Sequence, residues 1–203
     1  MQLVGMLDSP YVRRVAVAMI AARVPFAHKP ISLFRHIDAF AALSPLLKAP
    51  SLIVEGEALV ESSVILDYLG SRHPAIAAMR PTDLPAYRAL GTALTVMEKA
   101  VQIHYERALR KEGERSESWR GRVTRQLDLG LAALEASPLL DGEGLGHAEI
   151  AVACALGFVR GTIGDIVPLD LYPRLLEFGA RREALPAFRA APAIDGATAE
   201  ALR

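Results

Sequence analysis

The chain has 203 residues, with 23 lysines and arginines balanced by 23 aspartates and glutamates, so it offers no excess of positive charge for nucleic-acid binding. Its 52% apolar and 23% charged residues suit a chain that buries a core, not a disordered one. A single cysteine, Cys154, rules out an internal disulfide framework and cysteine-based metal spacing. With no basic start and long apolar stretch at Met1-Gln2-Leu3-Val4-Gly5, the expectation is a soluble cytoplasmic protein. The longest apolar run, Ile150 to Val159, is too short to span a bilayer.

Gln2 to Met6 reads as a short buried strand that stops at Leu7-Asp8-Ser9-Pro10. Val12, Val15, Ala16, Met19 and Ile20 then recur at helical spacing, with Ser9 as N-cap and Pro10 in the first helical position. This helix is expected to end near Arg23-Val24-Pro25, and its Arg13-Arg14 pair, like Arg181-Arg182, reads as a solvated face. His28 to Leu33 makes a second strand, and Arg35 to Leu43 a loop with a short helix. Pro50 to Val54 and Ala58 to Val60 form a third and fourth strand paired across Glu55-Gly56-Glu57. Glu61 to Ser71 returns to helical spacing through Val64, Ile65, Tyr68 and Leu69. The order βαβαββα describes an α/β domain over residues 1–77. His73-Pro74 and Arg80-Pro81-Thr82-Asp83 break the pattern and read as a linker.

Beyond Leu84 no strand pattern appears. Ala86 to Arg110 is one long helix, with Leu90, Leu94, Met97, Val101 and Ala108 along its inner side. Glu117 to Ala136 repeats the theme through Val123, Leu127, Leu131 and Leu134. The apolar helix His147 to Val159 follows the loop Leu140 to Gly146, and Pro173 to Phe178 and Leu185 to Arg189 are short final helices. Residues 84–203 are therefore expected to form an all-α bundle.

The stretch from Lys48 to Ser62 carries the most chemistry. It supplies an extended backbone edge, the Glu61 carboxylate and the Ser62 hydroxyl at a helix start, a set suited to a small zwitterionic peptide. Ser9, at the earlier helix start, could hold a thiol. Each feature alone has an ordinary role: Ser9 as an N-cap, and Glu61-Ser62 as a helix cap with an acidic first turn.

Taken in order, these motifs resemble the cytosolic glutathione S-transferase family nearly end to end. The likeness rests on Ser9-Pro10-Tyr11 with Arg13-Arg14-Val15 behind it, on Ser44-Pro45 and Lys48-Ala49-Pro50, and on Glu61-Ser62 followed by Val64-Ile65 and Tyr68-Leu69. In the second half it rests on Ala148-Glu149-Ile150-Ala151, Tyr172-Pro173 and Leu185-Pro186-Ala187-Phe188. The chain is similar to bacterial, serine-type members, such as those of the tau, zeta and theta classes. Omega-type members carry cysteine where Ser9 stands, which disfavours mixed-disulfide chemistry here.

The resemblance implies a thioredoxin-like N-terminal domain, a helical C-terminal domain and a homodimer. It implies that glutathione is the co-substrate, that no metal is needed, and that the thiolate is conjugated to a small hydrophobic electrophile in a detoxifying role. Isomerase, peroxidase or dehalogenase activity, and a non-catalytic ligand-carrier role, are alternatives on the same fold. Ser9 would stabilise the thiolate. Ala49 would pair through its backbone ahead of a cis Pro50, Glu61 would take the γ-glutamyl ammonium, and Ser62 its carboxylate. Lys48 would take the glycyl carboxylate, shared with Arg35 or His36. The acceptor pocket would lie between domains, with Met97, Val101, His104 and Tyr105 along the long helix. Tyr11 is placed in this pocket too, and inside its helix it reads as a packing residue more than a catalytic one; Met97 and Val101 read equally well as core packing. At the helix beginning with His147, the family's Ser or Thr cap is Gly146, so only the return bond from Glu149 is expected.

Overall fold

The computed structural model describes residues 1–193 and Thr198. They divide into two compact units, one formed by Met1–Arg80 together with the described residues from Glu183 onward, the other by Pro81–Arg182. From Glu183 on, the described chain groups with the first unit, and the rest of the range 84–203 lies outside the described residues.

The first unit contains β1 (Gln2–Val4), α1 (Pro10–Ala21), β2 (Ala27–Lys29), α2 (Ile37–Ala41), β3 (Ser51–Val54), β4 (Glu57–Val60), α3 (Ser62–Arg72) and α4 (Pro74–Ala77). The sheet order is β2-β1-β3-β4. β1 runs parallel to β2 and antiparallel to β3, which is antiparallel to β4. A parallel pair needs a crossover, and α1 supplies it. Leu3 stands in register with His28 on one side and Leu52 on the other. Leu3, Val4 and Leu52 are fully buried with Val12, Val15, Ala16 and Met19 of α1. Between β3 and β4, Glu55 and Gly56 both have positive φ, 54° and 85°, the backbone of a tight hairpin turn.

β2 is shorter than the His28 to Leu33 expected. Pro30 has no N–H to continue the ladder, and the Ile31 N–H turns back to the Lys29 carbonyl at 2.8 Å. The expected linker holds α4, because Pro74 sits at its start, where a missing N–H costs nothing.

Arg13 and Arg14 are not a solvated face; they are 2% and 1% exposed. Arg13 lays its guanidinium along the Glu183 carboxylate (Nη1–Oε1 and Nη2–Oε2, both 2.6 Å), donates Nε–H to the Ala191 carbonyl at 2.8 Å, and stacks over Phe188. These bonds seat α9 (Pro186–Ala190), the last helix among the described residues, against α1. Arg182 is likewise buried, 1% exposed, and donates to the Gly142 carbonyl.

The second unit consists of α5 (Leu84–Leu109), α6 (Glu117–Glu135), α7 (His147–Thr162) and α8 (Pro173–Glu183, whose last residue groups with the first unit). α5 packs against α6 and α7. Asp83 caps α5 by accepting from Ala86 N–H at 2.8 Å. α6 buries the expected Val123, Leu127, Leu131 and Leu134. The face of α5 lies elsewhere than expected: Ala89, Ala93, Val96, Met97, Ala100 and Ile103 are buried, while Leu90, Leu94 and Val101 are only half-buried and Ala108 is exposed. Three alanines, which hydrophobicity alone underrates, make this seam. At α7, Glu149 Oε2 accepts from Gly146 N–H at 2.9 Å, and Gly146 has no side chain to return the bond. Among the described residues no helix is long and apolar enough to cross a membrane.

Candidate active site

Four short segments of the first unit meet at one place: the end of β1, the start of α1, the turn before β3 and the junction of β4 with α3. Gly5 marks how closely they approach. Its φ is 132°, and a Cβ built on it would lie 2.6 Å from Val12 Cγ2 and 3.2 Å from Ala49 Cβ. Only glycine fits there.

Ser9 ends the loop after β1 and caps α1. Its backbone is extended (φ −70°, ψ 123°), and its hydroxyl oxygen accepts from Val12 N–H over a long 3.4 Å. Ser9 is half-buried at the positive end of a 12-residue helix. Tyr11, the second residue of α1, is also half-buried.

The Ala49–Pro50 peptide bond is cis. Just after it, Ser51 Oγ lies 2.6 Å from the Lys48 carbonyl and 2.8 Å from Ser44 Oγ. A hydroxyl has one hydrogen, so Ser51 donates to the Lys48 carbonyl and accepts from Ser44. Both serines are fully buried, and together they pin the backbone on which Lys48 and Ala49 stand.

The junction of β4 and α3 is built around Glu61, whose φ of 72° is uncommon for a residue with a side chain. Its Oε1 accepts from the N–H of Ser62 at 3.1 Å, and its Oε2 pairs with Lys48 Nζ at 2.8 Å. One carboxylate thus gathers two donors from separate segments. Ser62 is fully buried as the first residue of α3, and its hydroxyl receives a hydrogen bond from Arg14 Nη1 at 3.0 Å.

His28 supports this region from β2. Its Nε2 lies 2.8 Å from the Gly5 carbonyl, and its Nδ1 accepts from Thr198 N–H at 3.0 Å. Both bonds are met by the neutral ring with hydrogen on Nε2, and burial pushes its pKa below the ordinary 6.5.

The structure therefore brings Ser62, Glu61 and Lys48 together, with Ala49 and Pro50 beside Lys48. Arg35 and His36 are exposed in the loop before α2, where the His36 ring accepts from Ser32 N–H at 3.4 Å. In the second unit, Met97 is completely buried. Val101 is half-buried, and Tyr105 is 40% exposed. The half-buried His104 has its ring 5.9 Å from those of Tyr105 and Phe158. Gly5, His28 and Ser51 were assigned no role at the site from the sequence, and Arg14 was read as part of a solvated face. Only Gly5, a glycine at a strand end, carried a local signal. Among the described residues no group of His, Cys, Asp and Glu is arranged to hold a metal ion.

Residues 3–77 match the family model of the glutathione S-transferase N-terminal domain. The chain is 30% identical over 193 residues to maleylacetoacetate isomerase of Pseudomonas aeruginosa, an alignment covering 88% of this chain and 89% of that protein. It superposes with a TM-score of 0.80 on a glutathione transferase family member from Pseudomonas fluorescens crystallised with glutathione, at 29% identity over 94% of this chain and 97% of that one. A glutathione S-transferase from Methylobacillus flagellatus, also with glutathione bound, superposes with a TM-score of 0.83 at 26% identity, over 95% and 99% of the two chains. With sheet order, helical second half and motifs in agreement, the chain belongs to the cytosolic glutathione S-transferase family.

Proposed function

We propose that this chain is a glutathione-dependent enzyme that holds the tripeptide along Lys48–Ser62 and activates its thiol at Ser9. The observation that carries the reading is the convergence of Lys48 Nζ and Ser62 N–H, two donors suited to carboxylates, on Glu61. Relatives crystallised with glutathione support it.

In this reading Ser62 takes the γ-glutamyl carboxylate through its N–H and hydroxyl at a helix N-terminus. Glu61 takes the γ-glutamyl ammonium, Lys48 the glycyl carboxylate, and the Ala49 backbone pairs with the cysteinyl unit. Lys48 and Glu61 are 53% and 46% exposed, so their mutual bond is worth about 1 kcal/mol or less and resists exchange weakly. Among the described residues Ser9 accepts one long bond, which leaves its hydrogen to donate to sulfur. A thiol has an ordinary pKa of about 8.5. The Ser9 hydroxyl and the α1 dipole both favour the thiolate, lowering that value.

Bound glutathione would supply a sulfur nucleophile for conjugation to a small apolar electrophile. A second reading is favoured by the 30% identical relative, an isomerase. There the same nucleophile acts reversibly and glutathione is not consumed. Both readings use Ser9 in the same way, and the proposed enzyme works as a homodimer.

Calorimetry with glutathione, then turnover of an aromatic electrophile and of a cis-alkene diacid, tests the reading on wild type and Ser9→Ala. Wild type is expected to bind. Ser9→Ala should keep its affinity within about threefold but lose roughly 100-fold in turnover. Failure of wild type to bind glutathione sinks the proposal. Binding with no turnover on either substrate class favours a carrier, and unchanged turnover in Ser9→Ala removes Ser9 from the chemistry.

A further inference from the structure

Arg14 reaches from α1 to the first turn of α3. Its Nη1 donates to Ser62 Oγ at 3.0 Å and to Ser63 Oγ at 3.1 Å, and the side chain is 1% exposed. A guanidinium can only donate, so the Ser62 oxygen must be the acceptor in this bond. The hydroxyl keeps one hydrogen, and among the described residues no hydrogen bond takes it up. Ser62 is fully buried and cannot send that hydrogen freely to bulk water. Arg14 therefore sets the polarity of the hydroxyl: oxygen towards the guanidinium, hydrogen towards an acceptor at the head of α3. The same guanidinium adds positive charge behind that point.

We infer that Arg14 is a positioning residue for the glutathione site, fixing Ser62 as a donor to the α-carboxylate of the γ-glutamyl unit. This rests on the reading of Lys48–Ser62 as the glutathione site. Arg14 touches neither the peptide nor the reacting sulfur. It acts through Ser62 on the affinity for one carboxylate, and Ser9 is left to act on the thiol.

The test compares two ligands: glutathione, and 4-aminobutyryl-cysteinylglycine, which lacks only that α-carboxylate. Calorimetry on wild type, Arg14→Met and Arg14→Lys reads both affinities, and steady-state assays separate kcat from KM. Arg14→Met should weaken glutathione about tenfold, the scale of one charge-assisted hydrogen bond, while changing the analogue less than twofold. Arg14→Lys, which keeps a donor, should recover part of the loss. KM for glutathione should rise with kcat nearly unchanged. Equal weakening of both ligands would reduce Arg14 to a staple between helices, and unchanged glutathione affinity would end the proposal outright. If the Arg14 variants do not fold, Ser62→Ala decides. It should weaken glutathione but not the analogue, and a variant binding both ligands as wild type does would leave no donor for Arg14 to direct. Wild type that fails to bind glutathione removes the site itself, an outcome distinct from all of these.

Discussion

In the helical unit, order comes from repetition: α6 buries Val123, Leu127, Leu131 and Leu134 at regular spacing, and α5 answers with a seam of alanines. In the sheet-bearing unit, the places that matter are departures from regularity. Gly5, Glu55, Gly56 and Glu61 have positive φ, and buried Arg13, Arg14, Ser44, Ser51 and Ser62 are joined by short polar bonds. Periodic burial makes a scaffold that tolerates averaging over many contacts. A site that must hold donors within a few tenths of an ångström needs backbone irregularity and directional bonds, each of which fails singly.

The largest effect separating the two should come from Gly5→Val. A β-branched side chain at a φ of 132°, against Val12 and Ala49, is expected to cost at least about 3 kcal/mol and to abolish retention on immobilised glutathione. Leu131→Ala should cost a comparable but smaller amount, about 2–3 kcal/mol by denaturant titration, by opening a cavity in the helical unit. Below its melting temperature it should bind glutathione within about twofold of wild type. Loss of binding there would break the proposed division between scaffold and site.

A smaller effect is set by pH. The folded-state pKa of His28 lies below its ordinary 6.5, so the unfolded chain binds more protons between those two values. The stability His28 provides is then complete above about pH 6.5 and falls as the pH drops towards the folded pKa, by at most about 1.4 kcal/mol per pH unit. Melting temperature against pH should show this slope in wild type and a flatter one in His28→Gln. Smallest of all, Gly146→Ser should complete the cap of α7 and raise stability by about 0.3 kcal/mol, read as a small rise in melting temperature.

What was legible in the sequence was local. Ser9-Pro10 announces a helix start because cap and proline chemistry act within one turn, and the apolar spacing of α6 survives into its buried face. Lys48, Glu61 and Ser62 could be grouped from the sequence because they stand at the ends of the consecutive elements β3, β4 and α3. Arg13 and Arg14 were illegible for the opposite reason. A pair of arginines on a helix looks solvated until its partners are known, and those stand 170 and 48 residues away, at Glu183 and Ser62. β2 was overestimated because apolar content was weighed above the missing N–H of Pro30. Met97 has the helical spacing of a core position, and it is buried as one.

The bonds from Arg13 to Glu183 and Ala191 have a consequence for how the chain is made. The first unit is discontinuous in sequence, with the helical unit as an insertion between its two parts. During synthesis α1 leaves the ribosome long before α9, so the bonds from Arg13 to Glu183 and Ala191 form only after the helical unit has been made. Vectorial folding can therefore complete the helical insertion before the two parts of the first unit close on one another. A chain cut before Glu183 would leave α1 without the Glu183 carboxylate and the Ala191 carbonyl that its Arg13 engages.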